Sequence, residues 1–143
     1  MRVQTRWAMG MATLAMGALV FLTHDTSAQA PAAAGYKPVS SVHGLMNGQN
    51  IMFGRIQEAI TNAGTKKRGE QIEVCSEVLA ELANVNTFNA QKDDYRKWAG
   101  DLRDTALELS KEGKKKGELD DAKMKTLVEK MKATCEACHK AYQ

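Results

Sequence analysis

Apolar residues recur at every third or fourth position through four successive segments of this 143-residue chain, a spacing that gathers them on one face of a helix. In no segment do they alternate with polar residues as a half-buried strand demands, and proline stops at Pro38. Val42, Met46, Phe53, Ile56 and Ile60 mark the first stripe, with Ser40 or Ser41 placed as its N-cap and an end expected near residues 62–64. A basic turn at residues 65–69 leads to the second stripe: Ile72, Cys75, Val78, Leu79, Leu82 and Val85. The polar run at residues 84–89, with three asparagines, is expected to form the connection that follows. Tyr95, Trp98, Leu102, Thr105 and Leu109 make the third stripe, ended by Gly113, Lys114, Lys115, Lys116 and Gly117. The fourth starts near Leu119, with Asp120 and Asp121 favourably placed in its first turn, and runs through Met124, Leu127, Val128, Met131, Cys135 and Cys138 to Tyr142. Four amphipathic helices with short links predict an all-α fold, an antiparallel up-down-up-down four-helix bundle.

The N-terminus reads differently. Arg2 and Arg6 precede an apolar stretch from Trp7 to Leu22, and Ala28, Gln29 and Ala30 follow as a small-residue cleavage site. Residues 1–30 are therefore expected to be a secretory signal peptide, removed ahead of Pro31. The apolar stretch falls short of the roughly 20 residues that span a bilayer, so the mature chain is expected in the periplasm with no stable membrane insertion. Residues 31–38, rich in Ala, Gly and Pro, read as a flexible leader, and residues 39–143 as one domain. Losing Arg2, Arg6 and Asp25 from 20 basic and 17 acidic residues leaves a net charge near +2. With no basic stripe interleaved with aromatics, nucleic acid is not an expected partner.

Export bears on the three cysteines, because an oxidising compartment pairs thiols unless something else claims them. Cys135, Glu136, Ala137, Cys138 and His139 form a C-x-x-C-H run, the attachment signature of one covalently bound haem c. Three residues apart on a helix, Cys135 and Cys138 share a face, so both sulfurs reach the edge of one flat macrocycle. His139 is then tethered beside the iron. A redox-exchanging dithiol pair usually accompanies a strand-and-helix fold that this chain lacks. A tetrahedral zinc site would need a fourth ligand such as Cys75 or His43, but Cys75 sits on an apolar stripe and reads as a small core residue.

The second axial position is narrowed by elimination. Met1, Met9, Met11, Met16 and His24 leave with the signal peptide, and Met124 and Met131 belong to the apolar stripe of the haem-bearing helix itself. In an up-down-up-down bundle the start of the first helix lies level with the end of the fourth. That favours Met46 as a thioether ligand; Met52 lies too far along and off the stripe, and His43 stands one turn before Met46 as the competitor. The same geometry predicts Leu82, Val85, Phe88, Tyr95 and Trp98 as pocket walls. Lys123, Lys125, Lys130, Lys132 and Lys140 are interspersed with acids and read as a solvated helix face. No acid, base or nucleophile constellation argues for turnover, so the chain is not expected to be an enzyme.

An export signal, four helical stripes and a C-x-x-C-H within the last ten residues resemble the class II c-type cytochromes, the cytochrome c′ group. The resemblance spans the mature chain from about Val39 to Tyr142 and is most specific at Cys135, Cys138 and His139. It implies a four-helix bundle that carries single electrons between redox partner proteins. Low-spin members of that family place a methionine early in helix 1, and Leu45 and Met46 look similar to that pattern. High-spin members leave the distal site open and bind nitric oxide or carbon monoxide, which is the alternative expectation. His43 beside Met46, and the polar run Asn47, Gly48, Gln49 and Asn50, depart from the family pattern. An apolar face shared between two bundles would produce a homodimer.

Overall fold

The computed structural model describes residues 37–90 and 92–142; the segment expected to be a signal peptide and most of the expected leader lie outside the described residues. Among the described residues there are four α-helices and no strand: α1 (Val42–Thr61), α2 (Arg68–Asn89), α3 (Asp93–Gly113) and α4 (Asp121–Tyr142). Each helix packs on its neighbour in sequence and α1 closes the ring against α4, whereas the diagonal pairs α1 with α3 and α2 with α4 make no close approach. This is an all-α four-helix bundle.

Capping chemistry sets the boundaries. Ser41 is the N-cap of α1, its Oγ accepting from the Gly44 N–H at 3.1 Å. At the other end of α1 the carbonyls of Ala59 and Ile60 have no partner within the helix, and they accept from the Arg68 guanidinium at 2.7 and 3.1 Å. Lys67, with φ at 62°, makes the left-handed turn that lets α2 begin immediately on Arg68. Asp120 stands just before α4, its carboxylate accepting from the Lys123 N–H at 2.9 Å.

The connection expected at residues 84–89 is instead helical, because α2 continues to Asn89 and the link to α3 is only residues 90–92. Asparagine disfavours helix interiors because its side chain competes for backbone partners. Packing overrides that preference: Ala83 and Asn86 are fully enclosed, and Thr87 satisfies the Asn84 carbonyl at 2.6 Å.

The core follows the stripes. Ile56 and Ile60 meet Ile72, Cys75 and Leu79 from α2, Leu102 and Leu109 from α3, and Met124, Leu127 and Met131 from α4. Met124 and Met131 are completely buried, as expected of core methionines.

One end of the bundle is closed by backbone contact. A Cβ added at Gly69 would lie 2.8 Å from the Gly113 carbonyl oxygen, and one at Gly113 would lie 2.7 Å from the Glu73 nitrogen. Both glycines therefore exist for close approach, not for an unusual φ. Beside them Arg68 pairs with Asp121 at 2.8 Å, joining α1, α2 and α4. Buried Glu112 accepts from the Asp120 N–H at 3.1 Å and pairs with Lys115. That lysine holds the Glu112 carboxyl below its usual range despite burial.

Gly113→Ala has nowhere to place its methyl group without separating α2 from α3. We expect it to lose about 1–3 kcal/mol of stability, the usual cost of overpacking. Gly54→Ala, where an added Cβ meets nothing within 4 Å, is the control, and chemical denaturation of both variants measures the difference.

Candidate cofactor site

At the opposite end the helices enclose a cavity of about 190 Å³ that is open to solvent. All four contribute to it: Met46, Gln49 and Phe53 from α1, Leu79 and Asn86 from α2, Tyr95, Trp98 and Leu102 from α3, and Cys135, Cys138 and His139 from α4. Of the four neighbouring helix pairs, α1 and α4 touch least, and this lightly packed seam carries Met46 on one side and the cysteine motif on the other.

Cys135 and Cys138 both face the cavity, the first half-buried and the second buried, and both are free thiols. Burial pushes both thiols up; the Cys138 sulfur adds to the effect on Cys135, and the Asp94 carboxylate to that on Cys138. Thiols specialised for disulfide exchange are shifted the opposite way, towards thiolate. His139 is exposed at the rim while still lining the space.

Met46 lines the same cavity, so residues 93 positions apart in sequence, Met46 and His139, share one site. His43 does not: it is exposed and engaged by the Asn47 side-chain amide at 3.1 Å. Tyr95 and Trp98 are cavity walls as expected, but Leu82, Val85 and Phe88 are not among the lining residues. Because α2 stays helical, the residues that face the cavity are Leu79 and Asn86, seven apart. Leu82 turns instead towards α1, where a Cβ on Gly48 would meet it at 3.1 Å.

Gln49 and Asn86 were missed by counting apolar residues. Their signal lies in phase rather than polarity: Gln49 follows Met46 by three and precedes Ile56 by seven, and Asn86 follows Leu79 by seven. Both are buried, at 7% and 1% exposure.

An aromatic clasp holds the end of α4. The Tyr142 ring meets Tyr95 edge-on at 5.5 Å and Trp98 at 5.9 Å. Its hydroxyl donates to Asp94, and the Lys92 ammonium sits 5.2 Å above its face. The last turn of α4, which carries the motif, is thereby fastened to the first turn of α3 rather than to α1.

No family model, curated protein or solved structure matches this chain. Among the described residues no helix is long and apolar enough to cross a membrane. Nor do three or more His, Cys, Asp or Glu side chains converge there as they would around a bare ion.

The clasp has a pH signature. The Asp94 carboxylate pushes the Tyr142 hydroxyl up to about 12, above its value in the unfolded chain, so its contribution is complete below the ordinary tyrosine range, about pH 10, and is lost as pH rises through 12. Ultraviolet titration should find this late-ionising tyrosine, and Asp94→Asn should return it towards the ordinary range. A wild-type titration with every tyrosine ionising near pH 10 would contradict the clasp.

Proposed function

We propose that this chain is an exported monohaem c-type cytochrome that carries single electrons between redox partner proteins. Haem c is attached through Cys135 and Cys138, and its iron is ligated by His139 and Met46. The observation that carries the reading is convergence: a C-x-x-C-H motif near one end of the chain and a methionine near the other line one apolar cavity.

The residues present suit a porphyrin. Two thiols on one helix face can tether its edge, while an imidazole and a thioether are the ligand pair that raises the potential of iron in c-type cytochromes. When bound, the haem supplies an iron that cycles between ferrous and ferric states. The chain's own residues do the rest. Phe53, Leu79, Trp98 and Leu102 keep water from the buried face, which with the axial ligand sets the potential. The two covalent tethers hold His139 at high local concentration beside the metal, and the clasped end of α4 keeps it in place. Protonated thiols, maintained by burial, are the form in which Cys135 and Cys138 await attachment.

Expression in a host able to attach haem c should yield a chain heavier than the mature polypeptide by one haem, with a low-spin reduced spectrum and a methionine-to-iron band in the ferric state. An unmodified mass refutes the reading. Met46→Ala should open the sixth position and permit rapid carbon monoxide binding; an unchanged spectrum would mean that another group holds the iron. A wild-type protein already high-spin and quick to bind carbon monoxide would instead favour a gas-binding module.

A further inference from the structure

One buried polar side chain of the cavity has no part in the haem reading above. Gln49 lines the cavity three residues after Met46 and is 7% exposed. On a helix that spacing puts the two side chains on one face, a turn apart. No described residue hydrogen-bonds the Gln49 carboxamide, yet neither of its amide atoms is sealed away from accessible space. A buried amide that pairs with nothing is costly, and such groups generally mark a bound water or ligand.

The other polar residues of the lining are placed differently. Lys132 and Glu136 pair with each other at 3.9 Å on the exposed side of α4, and the Thr134 hydroxyl donates to the Lys130 carbonyl at 3.0 Å. Asn50 also follows Met46 by a turn, but it is exposed and water satisfies it. Asn86 and Tyr95 each keep an enclosed polar atom, and they come from α2 and α3, not from the helix that carries Met46. The Met46 side of the cavity is also the side best able to change. Met46 is half-buried and stands where α1 and α4 approach least, so its unbranched side chain can swing out at little cost in packing.

We propose that the sixth iron position also takes a small exogenous anion or polar diatomic in place of Met46, and that the Gln49 carboxamide is the hydrogen-bond donor that holds it. The inference rests on the haem reading above. Because Gln49 shares a helix face with Met46, it does not depend on how the macrocycle is turned about the line from Met46 to His139. The step is a ligand exchange: the bond from iron to the Met46 sulfur breaks, a lone pair of the incoming ligand forms the new bond, and the iron keeps its oxidation state. An anion on the iron only accepts, and it needs a donor when drawn out of water. Gln49 supplies an N–H, since the two ends of its amide exchange by a half-turn of the side chain. Bound carbon monoxide is a weak acceptor and gains little from the same group.

Cyanide is the probe, added to the ferric haem-loaded protein and followed by loss of the methionine-to-iron band. The wild type should bind it. Gln49→Leu keeps the volume and deletes the amide, and it should weaken cyanide binding roughly ten- to a hundredfold, the worth of a hydrogen bond to a charged group. Carbon monoxide binding to ferrous Met46→Ala should change little when Gln49→Leu is added; an equal loss there would make Gln49 a packing residue and overturn the proposal. Equal cyanide affinity in wild type and Gln49→Leu overturns it too, as does a wild type that keeps Met46 on the iron at saturating cyanide, and both leave the haem reading standing. If Gln49→Leu fails to fold, proton nuclear magnetic resonance of the wild-type cyanide complex decides. Exchangeable side-chain amide protons shifted by the ferric iron support Gln49 as donor, and their absence overturns it. A wild-type chain that carries no haem overturns both readings.

Discussion

Everything at the open end of this bundle depends on how its other end is shut. Gly69 and Gly113 let the backbones of α2 and α3 touch, and Arg68 reaches from α2 to the last carbonyls of α1 and to Asp121 at the start of α4. An arginine fork is suited to this because one planar group serves several acceptors at fixed angles. With three helices tied at one guanidinium and two in backbone contact, the helices are in register before side chains further along begin to matter. The exposed ion pairs around this end, such as Lys67 with Glu70, add little by comparison.

Beyond that closed end the helix pairs are not equally packed, and α1 and α4 approach each other least. A seam left lightly packed costs burial of apolar surface, so it stands out in a chain whose remaining interfaces are well filled. The clasp around Tyr142 compensates in part by fastening α4 to α3, leaving the face of α4 with Cys135 and Cys138 turned to the cavity. The proposed haem would restore what the seam lacks, since a flat apolar macrocycle between α1 and α4 replaces the missing contact. On this view the cavity and the free thiols that face it are one arrangement and not two.

The stripes were legible because helical period and burial are both local consequences of residue order. Ser41, Gly113, Asp121 and the buried Met124 and Met131 all fall where the pattern puts them. The asparagine run was misread because its propensity argues for a break, while the enclosure of Ala83 and Asn86 by neighbouring helices holds it helical. The extension keeps Phe88 within α2, and helix phase puts Leu79 and Asn86 on the cavity side instead of Leu82 and Val85. Met46 and His43 stand one turn apart and look alike to a spacing argument. Only packing turns the first into the cavity and leaves the second in water beside Asn47.

By itself, then, the sequence determined the fold class, the order of helices and the identity of the chemical groups at Cys135, Cys138 and His139, because period and motif are properties of neighbours along the chain. The tertiary structure decided which residues share the cavity: Met46 and not His43, Leu79 and Asn86 and not Leu82, with Gln49 as further buried polar company. These are properties of neighbours in space. They turn on helix phase accumulated over twenty residues and on a close glycine contact at the far end, and neither can be read from a local stretch of sequence.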